Sequence, residues 1–475
     1  MRIHNYFLIF VLAVILITAM GSVDVTQATH LIKPVSSLIA SAYPLDHWKF
    51  DYLYTPDSAG THLSLAFDPD QEQAAWISFY NETDGSLWVM HFVGAGGGGS
   101  CGLANLWICD QVDQESGEQK GLYTSIDIYP DVDPDPDVST WKVGVTYYDA
   151  TNDSLKYAEY SCPSVLPCLW NVENIQSATE DRDYLGLYTS FKFDSSGIPH
   201  IAYHVKDDSG ENVRYYLRHA YFLNNSSGNC GETNQWQCED VYQLNKPTGL
   251  FPSLDIDYQD RVYIAFYNES YERLDYVISP IRENAGNNLV WPLFPIDQSI
   301  GDIVGLFPSF HAPQNSTDVF QVAYYDATHG SLKYASSGHE GTGNCGLNNS
   351  WQCDPIDEMG IGLTWASISM TVDSNHIPMI AYTNRTEELS PLDLKIAEPA
   401  ENQLYANCAG GSWWCGTLDS GGAYIDEAGF ISLGVKPGGL AIIAYSELDS
   451  FDYPSDYDLK IAYQTLSSFL PVTMK

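Results

Sequence analysis

The chain has 475 residues, of which 44% are hydrophobic and 13% aromatic, enough apolar material for a large folded core. Its 61 acidic and 21 basic residues leave a formal net charge of -40. Phosphate polyanions and anionic membrane surfaces are repelled by such a charge, so nucleic acid is excluded as an expected partner, and so is a membrane surface beyond any N-terminal anchor.

The N-terminus has the features of an export signal. Arg2 is followed by an apolar run from Tyr6 to about Ala19 and by the small residues Gly21 and Ser22. This pattern predicts a signal peptide over residues 1–23, with an uncleaved N-terminal anchor as the alternative. Residues 24–46 are predicted to be a linker, and the expected location is secreted or on the cell surface.

A repeat begins at residue 48. One tryptophan recurs seven times, each followed five residues later by an apolar residue, at Trp48, Trp107, Trp170, Trp236, Trp291, Trp351 and Trp413. A marker serine follows each tryptophan, at Ser64, Ser125, Ser190, Ser253, Ser309, Ser367 and Ser432. Self-similarity at this period predicts one repeat-built domain over residues 47–464, with a C-terminal tail at 465–475.

Each repeat contains four strand-like segments. Side chains alternate with period two after the marker serine, as in Ser190-Phe191-Lys192-Phe193, and an apolar segment such as Val322-Ala-Tyr-Tyr-Asp326 follows. A third segment, such as Leu332-Lys-Tyr-Ala335, precedes the tryptophan segment. Four short antiparallel strands repeated seven times predict an all-β, seven-bladed β-propeller.

The two ends of the repeat region complement each other. The last repeat has three strand segments but no tryptophan segment, whereas Trp48 to Leu53 precedes the first repeat without a partner. We therefore expect an N-terminal strand to join the last blade and close the ring, which removes the open sheet edge.

The ten cysteines fall into five close pairs. Their positions are Cys101 and Cys109, Cys162 and Cys168, Cys230 and Cys238, Cys345 and Cys353, and Cys408 and Cys415. In an exported chain this arrangement predicts five disulfides, one in each of five repeats. A metal site built from these pairs is less favoured because the spacing within each pair exceeds that of common zinc motifs.

The Val322-Ala-Tyr-Tyr-Asp326 and Leu332-Lys-Tyr-Ala335 segments resemble the sialidase-like, BNR-type propeller repeats of exported bacterial proteins, over Trp48 to Tyr463. The resemblance implies a propeller fold. A sialidase would also imply three converging arginines, a tyrosine nucleophile with a glutamate partner, and Ser-x-Asp-x-Gly-x-Thr-Trp turns. No such turn is intact in this sequence, so no catalytic residue is assigned from the resemblance.

The resemblance implies a ligand site at the mouth of the central channel, where the residue two positions before each marker serine is expected to lie. This residue is aromatic in six repeats, at Tyr123, Tyr188, Phe251, Phe307, Trp365 and Phe430, and His62 takes the place in the first. We expect a ring that contacts a sugar or a cationic ligand through aromatic faces. The alternative is that these side chains wedge between adjacent sheets.

The residue two positions after each marker serine varies between repeats. Four consecutive repeats carry Asp127, Lys192, Asp255 and His311. Asp127, Asp255 and His311 are the candidate proton-transfer groups if the protein is an enzyme, and Lys192 is a candidate ligand contact. The alternative is a polar channel in which these charges neutralise each other.

One acidic loop is a candidate calcium site. Asp131, Asp133, Asp135 and Asp137 alternate with other residues and could ligate Ca²⁺, although a solvated acidic loop is the alternative because the sharp-turn glycine is missing. No other cofactor is expected.

These observations predict a secreted or surface-attached, non-catalytic propeller, expected to be a monomer, that binds an extracellular carbohydrate or protein at the channel mouth. The first alternative is a glycan-cleaving hydrolase that uses channel carboxylates such as Asp127 and Asp255. The second is a purely structural surface module.

Overall fold

In a computed structural model of the chain, 28 strands among the described residues form seven antiparallel sheets of four strands each. The predicted all-β, seven-bladed propeller is confirmed. The predicted signal, linker and nearly all of the tail lie outside the described residues, as does Trp365. The described residues are 47–53, 59–68, 75–130, 142–161, 168–178, 184–208, 212–223, 225–280, 290–299, 301–361, 363, 366–385, 392–400, 405–420, 430–436, 439–450 and 456–465.

Blades 1 to 3 each take four consecutive strands. Blade 1 comprises β2 (Ala59–Phe67), β3 (Ala75–Asn81), β4 (Ser86–Phe92) and β5 (Trp107–Asp113). Blade 2 comprises β6 (Lys120–Tyr129), β7 (Lys142–Asp149), β8 (Ser154–Ser161) and β9 (Leu169–Ser177). Blade 3 comprises β10 (Tyr184–Phe193), β11 (Pro199–Asp207), β12 (Arg214–Phe222) and β13 (Trp236–Leu244).

Blades 4 to 6 follow the same order. Blade 4 comprises β14 (Leu250–Ile256), β15 (Val262–Asn268), β16 (Arg273–Ile278) and β17 (Leu293–Asp297). Blade 5 comprises β18 (Val304–His311), β19 (Gln321–Asp326), β20 (Ser331–Ser337) and β21 (Trp351–Glu358). Blade 6 comprises β22 (Ile368–Val372), β23 (Pro378–Asn384), β24 (Asp393–Pro399) and β25 (Trp413–Asp419). Short 3-10 turns at Leu103–Asn105 and Leu347–Asn349 precede two of the outer strands.

Blade 7 joins the two ends of the repeat region. It comprises β26 (Ile431–Val435), β27 (Ala441–Ser450), β28 (Asp456–Gln464) and, as its outer strand, β1 (Trp48–Leu53). The antiparallel register runs from Trp48 opposite Gln464 to Leu53 opposite Leu459. The predicted closure of the ring is therefore confirmed, and β28 is paired on both sides.

The first strand of every sheet lies innermost, because first strands of successive blades contact each other. Being an edge strand, it has backbone N–H groups that the sheet does not pair. A serine Oγ of the preceding blade accepts the N–H of one such residue at each of the seven junctions. The pairs are Ser64 with Ile126, Ser125 with Phe191, Ser190 with Leu254, Ser253 with Phe310, Ser309 with Met370, Ser369 with Leu433 and Ser432 with Leu65, at 2.9–3.2 Å.

This hydrogen-bonded ring corrects one assignment made from the sequence. In blade 6 the bonding serine is Ser369, and Ser369 lies opposite Ala381 just as Ser309 lies opposite Ala323 in blade 5. The predicted marker, Ser367, was therefore wrong by two residues. Both serines fall at an acceptable distance from Trp351, and only the strand register distinguishes them.

Four of the five predicted disulfides are present, at Cys101–Cys109, Cys230–Cys238, Cys345–Cys353 and Cys408–Cys415. Each lies beside the tryptophan that begins an outer strand. Cys168 is also disulfide-bonded, and its predicted partner Cys162 lies outside the described residues. Disulfides of this kind persist in oxidising environments, which indicates an extracytoplasmic location.

Among the described residues, a recurring set of Asp, Tyr and Lys joins neighbouring blades at four junctions. An aspartate of an outer strand accepts a tyrosine hydroxyl and a lysine ammonium from the next blade. The sets are Asp113 with Tyr147 and Lys156, Asp297 with Tyr324 and Lys333, Asp357 with Tyr382 and Lys395, and Asp419 with Tyr445 and Lys460. The aspartate directly follows the apolar residue of the tryptophan segment, a signal that is visible in the sequence.

Among the described residues, no helix has the length and apolar character needed to cross a membrane.

Candidate functional site

The predicted ring of aromatic side chains is assembled around the channel. We call His62, Tyr123, Tyr188, Phe251, Phe307 and Phe430 the aromatic collar. Neighbouring ring centroids are 4.3–4.7 Å apart, from Phe430 through His62, Tyr123, Tyr188 and Phe251 to Phe307. In blade 6, the corrected register places Ser367 at the equivalent position, and Ser367 lines the same cavity.

The backbone turns these side chains inward through a bulge. The collar residues of blades 1 to 5 have φ values of 49° to 55°, which bulky residues rarely adopt. In blade 2, Leu122 lies opposite Tyr148 and Ser125 opposite Thr146, so β6 has one residue more than β7. Such bulges re-aim side chains and occur often beside functional sites.

In blades 1 to 5 a glycine lies two residues before the collar position, where the strand passes close to the preceding blade. At Gly305, φ is 97° and an added Cβ would lie 2.4 Å from Leu274 Cβ in the preceding blade. The sequence therefore contains a Gly-x-aromatic-x-Ser signature in four blades, with His62 as the ring residue of the same signature in blade 1. The interpretation from the marker serine alone did not detect it.

The collar lines an open cavity of about 190 Å³, together with the residue that follows each collar position. No lining residue is acidic. Most collar rings are half-buried, while Phe307 is buried. The predicted site residues of blades 2 to 5 and 7 thus lie together around one space.

The spacing of the rings limits how a ligand can approach. A ligand held between two aromatic faces needs about 7 Å between them, since each contact takes about 3.5 Å. Adjacent collar rings are closer than that and pack against each other, mostly in tilted or edge-to-face geometry. A ligand would therefore rest against the collar from the mouth.

The collar has a polar side and an apolar side. Burial lowers the pKa of His62 to about 3, so its imidazole is neutral near pH 7. Tyr123 and Tyr188 hydrogen-bond to each other, and burial raises the pKa of both phenols, which keeps them protonated. Blades 1 to 3 thus present neutral polar groups, whereas Phe251, Phe307 and Phe430 present only carbon.

The second set of predicted residues, Asp127, Lys192, Asp255 and His311, lies four residues further along the first strands. Lys192 Nζ is 3.5 Å from Asp127 Oδ1, and His311 Nδ1 is 3.5 Å from Asp255 Oδ2. Asp127 raises the pKa of Lys192. Burial raises the pKa of Asp255, although Lys192 and His311 oppose this.

Both carboxylates also accept backbone N–H groups of the next blade. Asp127 Oδ2 accepts the N–H of Phe193 at 2.9 Å, and Asp255 Oδ2 accepts that of Ala312 at 2.8 Å. Each aspartate lies two residues after the marker serine of its blade and, like that serine, accepts a backbone N–H of the next blade. The arrangement matches the alternative of a self-neutralised polar channel.

His311 is held on its other side as well. Its Nε2 lies 3.1 Å from Oδ2 of Asp318, a carboxylate with no exposed side-chain surface, and His376 Nδ1 lies 3.1 Å from the same oxygen. Burial alone would raise the pKa of Asp318, but hydrogen bonds from Gln314 and His311 lower it. His311 therefore bridges two carboxylates.

The calcium candidates Asp131, Asp133, Asp135 and Asp137 lie outside the described residues. Within the described part of the chain, no cluster of three or more His, Cys, Asp or Glu side chains is arranged to hold a metal ion.

No protein-family model and no curated protein sequence matches this chain. Among solved structures, it is similar to the GH93 α-L-arabinofuranosidase of Fusarium graminearum, with 8% identity, coverage of 86% of this chain and 96% of that chain, and a TM-score of 0.40. It is also similar to an α-L-arabinanase of Penicillium chrysogenum, with 11% identity, coverage of 88% of this chain and 99% of that chain, and a TM-score of 0.39. A third similar structure is the fucose-specific lectin of Aleuria aurantia, with 10% identity, coverage of 79% of this chain and 100% of that chain, and a TM-score of 0.39. These likenesses concern architecture and leave function undetermined.

Proposed function

We propose that the protein is a non-catalytic binding propeller, secreted or attached to the cell surface, whose aromatic collar receives one sugar residue of an extracellular carbohydrate. The observation that carries this proposal is the conformation of the collar. Five non-glycine residues hold positive φ values around one cavity, at a cost of about 1–3 kcal/mol each. Such strain is a common property of ligand sites.

Carbohydrate fits the chemistry of the collar better than a protein surface does. The cavity of about 190 Å³ suits a small ligand, whereas a protein partner would need a broad interface that buries more than about 1,000 Å² of surface. A sugar ring presents hydroxyl groups at its edge and C–H groups on its faces. The hydroxyls of Tyr123 and Tyr188 can hydrogen-bond to the sugar hydroxyls, and the phenylalanine rings can pack against the C–H faces.

The position of the carboxylates favours binding over hydrolysis. Glycoside hydrolysis needs two carboxyl groups flanking the scissile bond. The mouth cavity has no acidic lining residue, and Asp127, four residues beyond Tyr123 on the same strand, does not line it. Asp127 and Asp255 are also engaged as backbone acceptors.

The test is a glycan array followed by calorimetric titration of each hit with the wild-type protein and with Tyr188→Phe. Removing this hydroxyl should weaken binding about tenfold, the cost of about 1.4 kcal/mol expected for a lost hydrogen bond. Tyr258→Phe is the matched control, because Tyr258 is exposed in the turn between β14 and β15, at the other end of the strand that carries Phe251. It should bind like the wild type.

Two results would overturn the proposal. One is the absence of binding to every glycan on the array. The other is release of reducing ends from a bound glycan, abolished by Asp255→Asn, because that would make the channel carboxylate catalytic and the hydrolase alternative correct.

A further inference from the structure

A second and larger cavity, of about 350 Å³, lies in blade 2 away from the collar. Residues of β6 to β9 and the turn between β7 and β8 line it, and Glu232 from the loop before β13 completes the wall. Its volume falls in the range of small-molecule sites, roughly 300–1,000 Å³. Nearly all of its lining is polar, with Val172 as the apolar exception.

The charges around this cavity disfavour an anionic ligand. Lys120, which is almost fully buried, places Nζ 2.7 Å from Glu118, 3.2 Å from Glu115 and 3.5 Å from Asp113. Lys156 contacts the same Asp113, and Asp149 lies 3.9 Å away. Both ammonium groups are therefore already paired with carboxylates, and the lining itself sets Lys120 and Lys156 against Asp149 and Glu232. A phosphate or sulfate would find no unpaired cation there, and the balanced lining gives no net attraction for a cation.

A neutral ligand with hydroxyl groups can contact the cavity groups that are not engaged in ion pairs. Asn174 lines the cavity and donates from Nδ2 to Ser177 Oγ at 2.6 Å, while its buried Oδ1 has no hydrogen-bond partner among the described residues. An unsatisfied buried acceptor is destabilising, so a donor from a ligand or water would be favoured there. Val172 is 39% exposed and offers a small apolar surface beside these groups.

We propose that the blade 2 cavity is a second binding site, independent of the collar, for a small neutral polyhydroxylated ligand of the size of one pentose or hexose ring. Hydroxyl groups both donate and accept, which suits a wall of carboxylates, amides, serine hydroxyls and two ammonium groups. Asn174 Oδ1 accepts from the ligand, and the C–H face of the ligand covers Val172.

The experiment uses the full chain and four probes tested singly, D-glucose, D-galactose, L-arabinose and L-fucose, with saturation-transfer NMR and calorimetry. Asn174→Leu keeps side-chain size and removes the amide, and should weaken binding of the responsive sugar at least tenfold. Asn171→Leu is the matched control, since Asn171 lies on the same strand and is exposed. It should bind like the wild type, and all three proteins should unfold in a single cooperative transition.

The variant Tyr188→Phe separates this site from the collar. Binding that persists in Tyr188→Phe but fails in Asn174→Leu supports the blade 2 site, whatever becomes of the collar proposal. Binding lost in Tyr188→Phe alone overturns the blade 2 proposal and leaves the collar proposal standing. Saturable binding of sulfate that Asn174→Leu abolishes, or no response to any sugar at millimolar concentration, also overturns it, because the cavity then takes an anion or water only.

Discussion

One serine per blade performs the same task throughout the ring. Its hydroxyl accepts a backbone N–H from the neighbouring innermost strand, which no sheet partner can reach, as Ser125 does for Phe191. Asp127 and Asp255 repeat this contact two residues later. At the scale of single residues, groups that resemble catalytic candidates are thus accounted for as acceptors for edge-strand N–H groups.

The first prediction concerns Ser253. Its Oγ accepts the N–H of Phe310 at 3.0 Å. Ser253→Ala should lower the free energy of unfolding by about 1–2 kcal/mol, because the N–H loses its partner in a partly buried position. Urea unfolding measures the change. Ser116→Ala, at an exposed serine, is the control and should be neutral. Equal stability of the two variants would show that channel water replaces the serine.

At the scale of elements, the outer strand of one blade is tied to the inner strands of the next by the aspartate that follows the tryptophan segment. Asp113 accepts from Tyr147 at 2.5 Å and pairs with Lys156. Burial alone would raise the pKa of Asp113, but hydrogen bonds from Lys156 and Tyr147 lower it below its usual range. The ionised carboxylate is therefore favoured in the folded state.

The second prediction is a pH dependence of stability. A carboxylate with a lowered folded-state pKa stabilises the fold above its unfolded pKa of about 3.9, and this contribution is lost as the pH falls through the folded-state value. Asp113→Asn should cost about 3 kcal/mol near pH 7, because it leaves Lys156 with a weaker, uncharged partner, and the difference from the wild type should shrink below about pH 4.

Urea unfolding at several pH values tests this prediction. Glu340→Gln removes an equal charge from an exposed position and serves as the control, with little effect at any pH. A difference between Asp113→Asn and wild type that stayed constant into acid would assign the loss to packing and exclude the ion pair as its source.

At the scale of the whole molecule, the ring depends on a strand that lies far from its partner in the chain. Strand β1 pairs with β28 along its full length, and Trp48 and Leu53 are buried against the core, 7% and 3% exposed. Without β1, strand β28 would present an open edge, which favours association between molecules.

The third prediction compares two N-terminal truncations. A chain that begins at residue 54 lacks β1 and should lose about 3–6 kcal/mol of stability, from the burial of two large apolar side chains. A chain that begins at residue 47 keeps β1 and should melt like the full-length protein. Calorimetry and light scattering measure melting and aggregation. Equal melting temperatures would mean that the closure contributes nothing to stability.

The sequence by itself determined the blade count, the closure of the ring and the disulfides that are described, because each depends on residue types recurring at a local period. The collar residues of blades 2 to 5 and 7 also followed from that period. Only the tertiary structure decided that Ser369 rather than Ser367 is the bonding serine, and that Asp127 and Asp255 are occupied as backbone acceptors. The reason is distance along the chain: Phe193 N–H reaches Asp127 from 66 residues away, in another blade. A periodic pattern identifies the residue that faces its neighbour, but the identity of the bonded atom depends on how two blades pack.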